Sequence, residues 1–235
     1  MDAIVDMIRR MRADRPIGSP CKEDMWARDM VLIKLLSTVA LRRANLAHLT
    51  WRADNSGDLY QRADKSWWIR LPKNKFKNTY GAAGEEVYDC RIQPSAWQDI
   101  ERYIVIHRAR MLRHPTDLLF VLKLKNGIND EHRPWTWLSK RVAELTSQYI
   151  PNCHGFGPHA FRHIVATSIL KASEGDYKTV AKILHDRVAT VEKHYDGLRS
   201  NDASRRMGEL LASQFAQDRK RTRLNSSHVS QHRIP

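Results

Sequence analysis

The pattern that most restricts this chain lies between Glu23 and His48, where Met30, Ile33, Leu36 and Val39 recur at helical spacing. Apolar residues three apart share one face of an α-helix, so the segment predicts a long helix with one buried stripe. Just before it, DRPIGSP carries Pro16, Gly18 and Pro20, which cut it off from a shorter amphipathic pattern over 3–13 (Ile4, Ile8, Met11). After turn chemistry at ADNSGD (53–58), Trp67 to Leu71 and Glu86 to Ile92 predict two strands joined by the basic loop PKNKFKNTYGAAG. Ser95 and Gln98 form a capping box for a helix from 96 to about 113, and the apolar run Leu118 to Leu124, ended by Asn126-Gly127, predicts a third strand. Pro134 opens a helical pattern through Leu138, Val142, Leu145 and Tyr149, and further helices are expected near 159–173, 176–185, 188–196 and 200–217. The expected class is mainly α with a small antiparallel β-sheet (α+β), without internal repeats or a dividing linker.

A length of 235 residues suits one large domain, and 42% hydrophobic residues with seven Trp and seven Tyr argue against disorder. No apolar run approaches the ~20 residues of a membrane helix, and the N-terminus lacks the apolar stretch and cleavage site of a signal peptide. Cys21, Cys90 and Cys153 are odd in number and scattered, which argues against a disulfide framework. A soluble, cytoplasmic protein is expected. Forty Lys and Arg against 26 Asp and Glu give +14. The stretch RKRTRLNSSHVSQHRIP has no helical or strand period and reads as a tail; without its Arg219, Lys220, Arg221, Arg223 and Arg233, residues 1–218 keep +9. A surplus of that size attracts polyanions, and nucleic acid is the leading partner class.

Four places carry chemistry. ALRRANL (40–46) sets Arg42 and Arg43 in an otherwise apolar helix, where neighbours point about 100° apart, so one can face solvent and the other a cleft. In PHAFRH (158–163), His159 shares a helical face with Arg162 and with His163; a His and an Arg aimed at one point can donate to a phosphate. The His159–His163 spacing also suits zinc, with Cys153 nearby, but the Glu of HExxH and a second Cys are missing. ILHDRVATVEKHYDG (183–197) offers His185 and Tyr195, whose phenol needs nearby cations to act as a nucleophile. Lys73, Lys75 and Lys77 occupy the basic loop between strands and can deliver an ammonium to a phosphate or a leaving oxygen.

Singly, each of these has a bland alternative in solvated charge or packing. Their order, Arg, Lys on a β-hairpin, His-x-x-Arg, His, Tyr, resembles the catalytic domain of the tyrosine recombinases, the phage-integrase family. The resemblance runs from about residue 23 to 200. Arg42 falls on the arginine of the family's GLRxxEL box, His159 and Arg162 on HxLRH with His163 following, and His185 on the LGH histidine. TVEKHY resembles the nucleophile segment and nominates Tyr195, while KFKN resembles the hairpin K-T-K-N and nominates Lys77, with Lys75 as the alternative. Three positions depart from the pattern: Ala40 and Leu184 replace glycines, and Asn45 replaces a glutamate. The core-binding domain that usually precedes this one has no counterpart in the forty residues before Arg42, so the chain resembles an isolated catalytic domain, a fragment or a reduced relative.

The resemblance implies residues 1–22 as a lead-in, 23–217 as the catalytic domain and 218–235 as a tail. It implies a site-specific recombinase that cleaves and rejoins DNA through a 3′-phosphotyrosyl bond, with no cofactor and no metal. Arg42, Lys77, His159, Arg162, His185 and Tyr195 would be catalytic, with Arg43, Lys73, Lys75 and His163 in DNA contact. Double-stranded DNA is the implied partner, with a homo-tetramer on DNA, a monomer without it, and a nucleoid-associated location in a prokaryote or mobile element. Residues 200–217, with Met207, Leu210, Leu211 and Phe215 on one face, are a candidate exchanged helix. A noncatalytic DNA-binding relic of the fold and a type IB topoisomerase-like DNA relaxation remain as alternatives.

Overall fold

The computed structural model describes residues 1–76, 86–122, 134–173 and 175–195. They fall into two units, Met1–Val188 and Ala189–Pro235. In the first, α1 (Asp2–Ala13) turns Ile4, Met7 and Met11 inward. Pro20, with its fixed φ and missing N–H, sits at the start of α2 (Pro20–Thr38).

Helix α2 departs from its expected single stripe. Every residue from Ala27 to Leu36 is buried, as a central helix demands when neighbours cover all its faces. Its buried charges are paired: Asp24 accepts from Arg110 and faces His107, Asp29 accepts from Arg28 and Arg141, and Lys34 donates to Asp99 and to Ser95 O. The helix ends at Thr38, well short of His48. Ala40 adopts a left-handed backbone (φ +46°), which a right-handed helix cannot continue. Arg42 is then extended (φ −64°, ψ 149°) and flanks a separate short helix, α3 (Arg43–Ala47).

The sheet is three-stranded and antiparallel in the order β1 (Leu59–Gln61), β2 (Trp67–Leu71), β3 (Tyr88–Arg91). Leu59 pairs with Ile69, Ile69 with Cys90 and Leu71 with Tyr88. The core face carries Leu59, Trp67, Ile69, Leu71 and Tyr88; on the other face Tyr60 donates to Asp89 (2.9 Å) and Arg62 lies 3.4 Å over the Trp68 ring. The strand expected at Leu118 to Leu124 is absent over its described part, where Leu118 makes only an isolated bridge with Thr50. Its place in the sheet is taken by β1, too short to show a period of two.

Beyond that bridge, in which Leu119 N–H donates to Leu49 O (2.7 Å), side chains satisfy the run's carbonyls. Helix α4 (Trp97–Arg102) continues through a π-helical stretch, Tyr103–Arg108, and a last turn, Ala109–Met111. Tyr103 Oη donates to Leu119 O (3.0 Å), and Arg108 donates to Leu118 O (2.8 Å) and Thr116 O (2.6 Å). The Ser95–Gln98 capping box does not form; a 3₁₀ turn, Pro94–Ala96, leads into α4 without a side-chain cap.

Helices α5 (Leu138–Tyr149), α6 (Pro158–Ala172) and α7 (Tyr177–Leu184) complete this unit. The Thr146 hydroxyl accepts from Phe156 N–H (2.9 Å) and lies 3.1 Å from Phe156 O, pinning the approach to α6. Gly155 is left-handed (φ +91°), and a Cβ there would sit 2.4 Å from Ala143 O. Asp176 caps α7 by accepting from Thr179 N–H (3.1 Å). In the second unit, described residues 189–195 are helical, with Val191 and Tyr195 buried; the expected helix over 200–217 lies outside the described residues. Among the described residues no helix is long and apolar enough to cross a membrane.

Candidate active site

Three separate segments line one cleft, two of them with basic side chains. The turn after α2 supplies Arg42 and Arg43, the first turn of α6 supplies His159 and Arg162, and Ser139 at the start of α5 closes one side. The cleft holds about 400 Å³. Arg162 is buried, and its donors are directed: Nη1 to Ala40 O (2.7 Å), Nη2 to Leu184 O (3.0 Å) and to Asp186 Oδ2 (2.7 Å). Arg42 is 37% exposed at its side chain and donates from Nη2 to the other carboxylate oxygen, Asp186 Oδ1 (2.8 Å). One carboxylate therefore joins two guanidinium groups that lie 120 positions apart in the chain.

His159 and His163 both reach the surface, with Nε2 atoms 3.0 Å apart and rings perpendicular. That contact needs one ring to donate and the other to accept, so the two imidazoles share a proton. Among the described residues, no group of three His, Cys, Asp or Glu side chains is placed to hold a metal.

His185 follows α7 in a left-handed cap (φ 50°, ψ 55°), and its ring packs 4.4 Å from Phe76 and 5.3 Å from Tyr88, centroid to centroid. It lines a second cleft beside Asp186, not the cleft of Arg42 and Arg162. Burial, reinforced by the positive charge of Arg42, holds its pKa below the usual histidine value. Its buried Nε2 has no hydrogen-bond partner among the described residues. Tyr88, by contrast, is excluded as a nucleophile: burial raises its pKa well above 10, and its hydroxyl faces Val39 O (3.2 Å) and Ile183 O (3.3 Å).

Solved structures share this arrangement of elements. The chain superposes on XerA recombinase with a TM-score of 0.55 and 17% identity, over 87% of this chain and 61% of that one. On XerH site-specific recombinase, in its post-cleavage complex with palindromic difH substrate, the TM-score is 0.60 at 18% identity, over 86% of this chain and 51% of that one. The fold is that of the tyrosine recombinase catalytic domain. This chain spans between about half and three-fifths of the length of those proteins. No family model and no curated protein matches the sequence.

Within the recombinase fold, the three departures in sequence have local explanations. Ala40 keeps the left-handed backbone that glycine would adopt freely, and its buried methyl offsets part of the strain. Leu184 needs no glycine, because it is the last helical residue of α7 and His185 makes the left-handed step instead. Asn45 is buried and donates its amide to Lys75 O (3.0 Å), a bond no carboxylate can make. It thereby fastens the base of the basic loop to α3.

The lysines of that loop separate clearly. Lys75 Nζ meets both oxygens of buried Asp58 (2.6 and 2.5 Å), a carboxylate that also accepts from Thr50 N–H and hydroxyl. Lys73 is exposed in a 3₁₀ turn, and Lys77 lies outside the described residues, one position after Phe76. Tyr195 belongs to the second unit and is buried at the end of its described helix. Sequence reasoning missed Asp186. The adjacent ILHD was legible, but a carboxylate's partners across 144 residues leave no local mark.

Proposed function

We propose that this chain is the catalytic domain of a site-specific DNA recombinase that cuts and rejoins DNA through a 3′-phosphotyrosyl intermediate. The observation that carries the reading is the convergence of Arg42, Arg162 and His159 on one cleft, on the fold of proteins that carry out recombination. Two fixed guanidinium groups and an imidazole suit a phosphodiester, whose nonbridging oxygens gain charge in the transition state.

Tyr195 Oη attacks phosphorus, its phenol proton passing to the imidazole of His159 or His185. The P–O5′ bond breaks, and the Lys77 ammonium gives its proton to the departing 5′-oxygen. A 5′-hydroxyl from a partner strand then attacks the phosphotyrosine and regenerates the phenol. The bond energy stays in the covalent intermediate, so the cycle needs no external energy source. Lys75 is occupied by Asp58, which supports assigning the proton-donor role to Lys77. Arg43, Lys73 and His163 contribute charge and donors toward the DNA backbone.

A noncatalytic DNA-binding role for the same fold is favoured by one observation. The three hydrogen bonds of Arg162 to Ala40, Leu184 and Asp186 give that residue a structural reason to be present without any chemistry. A nicked suicide duplex separates the two readings. Catalysis predicts an SDS-stable adduct mapped to Tyr195, lost in Tyr195→Phe with DNA binding retained. DNA binding without any adduct, or an adduct that survives Tyr195→Phe, refutes it.

A further inference from the structure

We infer that Asp186 is the residue that positions the two site arginines for phosphate, a role that rests on the recombinase reading. Its Oδ1 accepts from Arg42 (2.8 Å) and its Oδ2 from Arg162 (2.7 Å), so a single rigid group sets the separation of both guanidinium planes. The post is itself fixed. Asp186 N–H donates to Ala181 O (2.9 Å) at the end of α7, and Arg162 is held independently by Ala40 O and Leu184 O. The Arg42 guanidinium has no such independent support: among the described residues Asp186 is its one hydrogen-bond partner. Orientation of Arg42 therefore depends on Asp186.

Charge points the same way. Arg42 and Arg162 repel each other, and the carboxylate between them lowers the charge of that pair from +2 to +1. A phosphodiester brings −1 and the pentavalent transition state gains more, so the arginines stay net positive toward the reacting group while their mutual repulsion is reduced. Asn45, at the position where the family's box has a glutamate, turns its amide to Lys75 O and supplies none of this. Asp186 takes over the acidic part from another segment of the chain. It touches the arginines rather than the substrate, which makes it a positioning residue.

The test is single-turnover cleavage of a nicked suicide duplex by the full chain, alongside DNA affinity at fixed salt. Asp186→Asn keeps the shape and removes the charge. It should cleave about 10- to 100-fold more slowly, the size of a small displacement of a catalytic group. DNA affinity should be equal or tighter, because a negative charge has left a phosphate-binding surface; a merely unfolded variant would bind more weakly. In an Arg42→Met background the same substitution should cost less, since the hydrogen bond from Arg42 to Asp186 is already gone. Asp186→Glu, which keeps the charge about one C–C bond further out, should fall between wild type and Asp186→Asn and serves if the latter does not fold. Cleavage by Asp186→Asn at or above the wild-type rate would overturn the positioning role and mark Asp186 as a plug, leaving the recombinase reading intact. Failure of the wild-type protein to form any adduct would remove both.

Discussion

Arg42 and Arg162 are proposed to do the same electrostatic work, yet the structure gives them very different structural weight. Replacing Arg162 by Met removes every donor while keeping an unbranched side chain of similar length. Ala40 O and Leu184 O, on buried residues, then lose their guanidinium partner. A buried acceptor left unpaired costs about 1–3 kcal/mol. Asp186 keeps Arg42 and is partly solvated, so its loss adds little. The expected total is about 3–4 kcal/mol, which for a chain of this size lowers Tm by about 6–16 °C. Arg42→Met breaks one bond of a partly exposed pair, worth about 0–1 kcal/mol, and should move Tm by no more than about 4 °C. Parallel thermal and urea unfolding of the two variants measures the difference directly. Equal destabilisation by both, or an Arg162→Met protein within about 1 kcal/mol of wild type, would refute the reasoning that Arg162 ties the turn after α2 to the end of α7.

Two glycines and one histidine are equally open to measurement. Gly155→Ala should cost about 3 kcal/mol or more, since the left-handed φ of +91° is combined with a Cβ only 2.4 Å from Ala143 O. Gly18→Ala, left-handed at φ +76° but in open space, should cost only about 1 kcal/mol, and urea midpoints for the pair distinguish clash from strain. The folded-state pKa of His185 lies below its ordinary value of 6.5, so the unfolded chain takes up the proton first. Its contribution to stability is therefore complete above about pH 6.5 and is lost as pH falls toward the folded pKa. Unfolding curves at pH 7 and pH 5 should show a smaller pH-dependent change for His185→Asn, a residue that tolerates the left-handed cap, than for wild type. An unchanged slope would show that His185 is not the group that titrates.

Much of this protein is written locally. Helical periods at 3–13, 138–149 and 158–172 are visible because burial of one face repeats every three or four residues, and the mainly helical class with a small sheet follows from them. The boxes around Arg42, His159 and Arg162, His185 and Tyr195 were equally legible, because their residue types and order are one-dimensional facts. What the sequence misstated were features set by contacts between distant segments. The stripe in α2 became an all-round burial because several helices cover it, and its end at Thr38 was decided by the left-handed Ala40. The apolar run at 118–121 forgoes a ladder because Tyr103 and Arg108 satisfy its carbonyls from the π-helical stretch. Lys75 stood in the sequence as the alternative to Lys77, and only the fold shows it paired with Asp58. The same is true of Asp186, whose carboxylate meets Arg42 across 144 residues and Arg162 across 24. Periodicity reports which face of an element is buried; only the packed chain decides which charge stands opposite which, because that distance is fixed by the fold and not by position along the sequence.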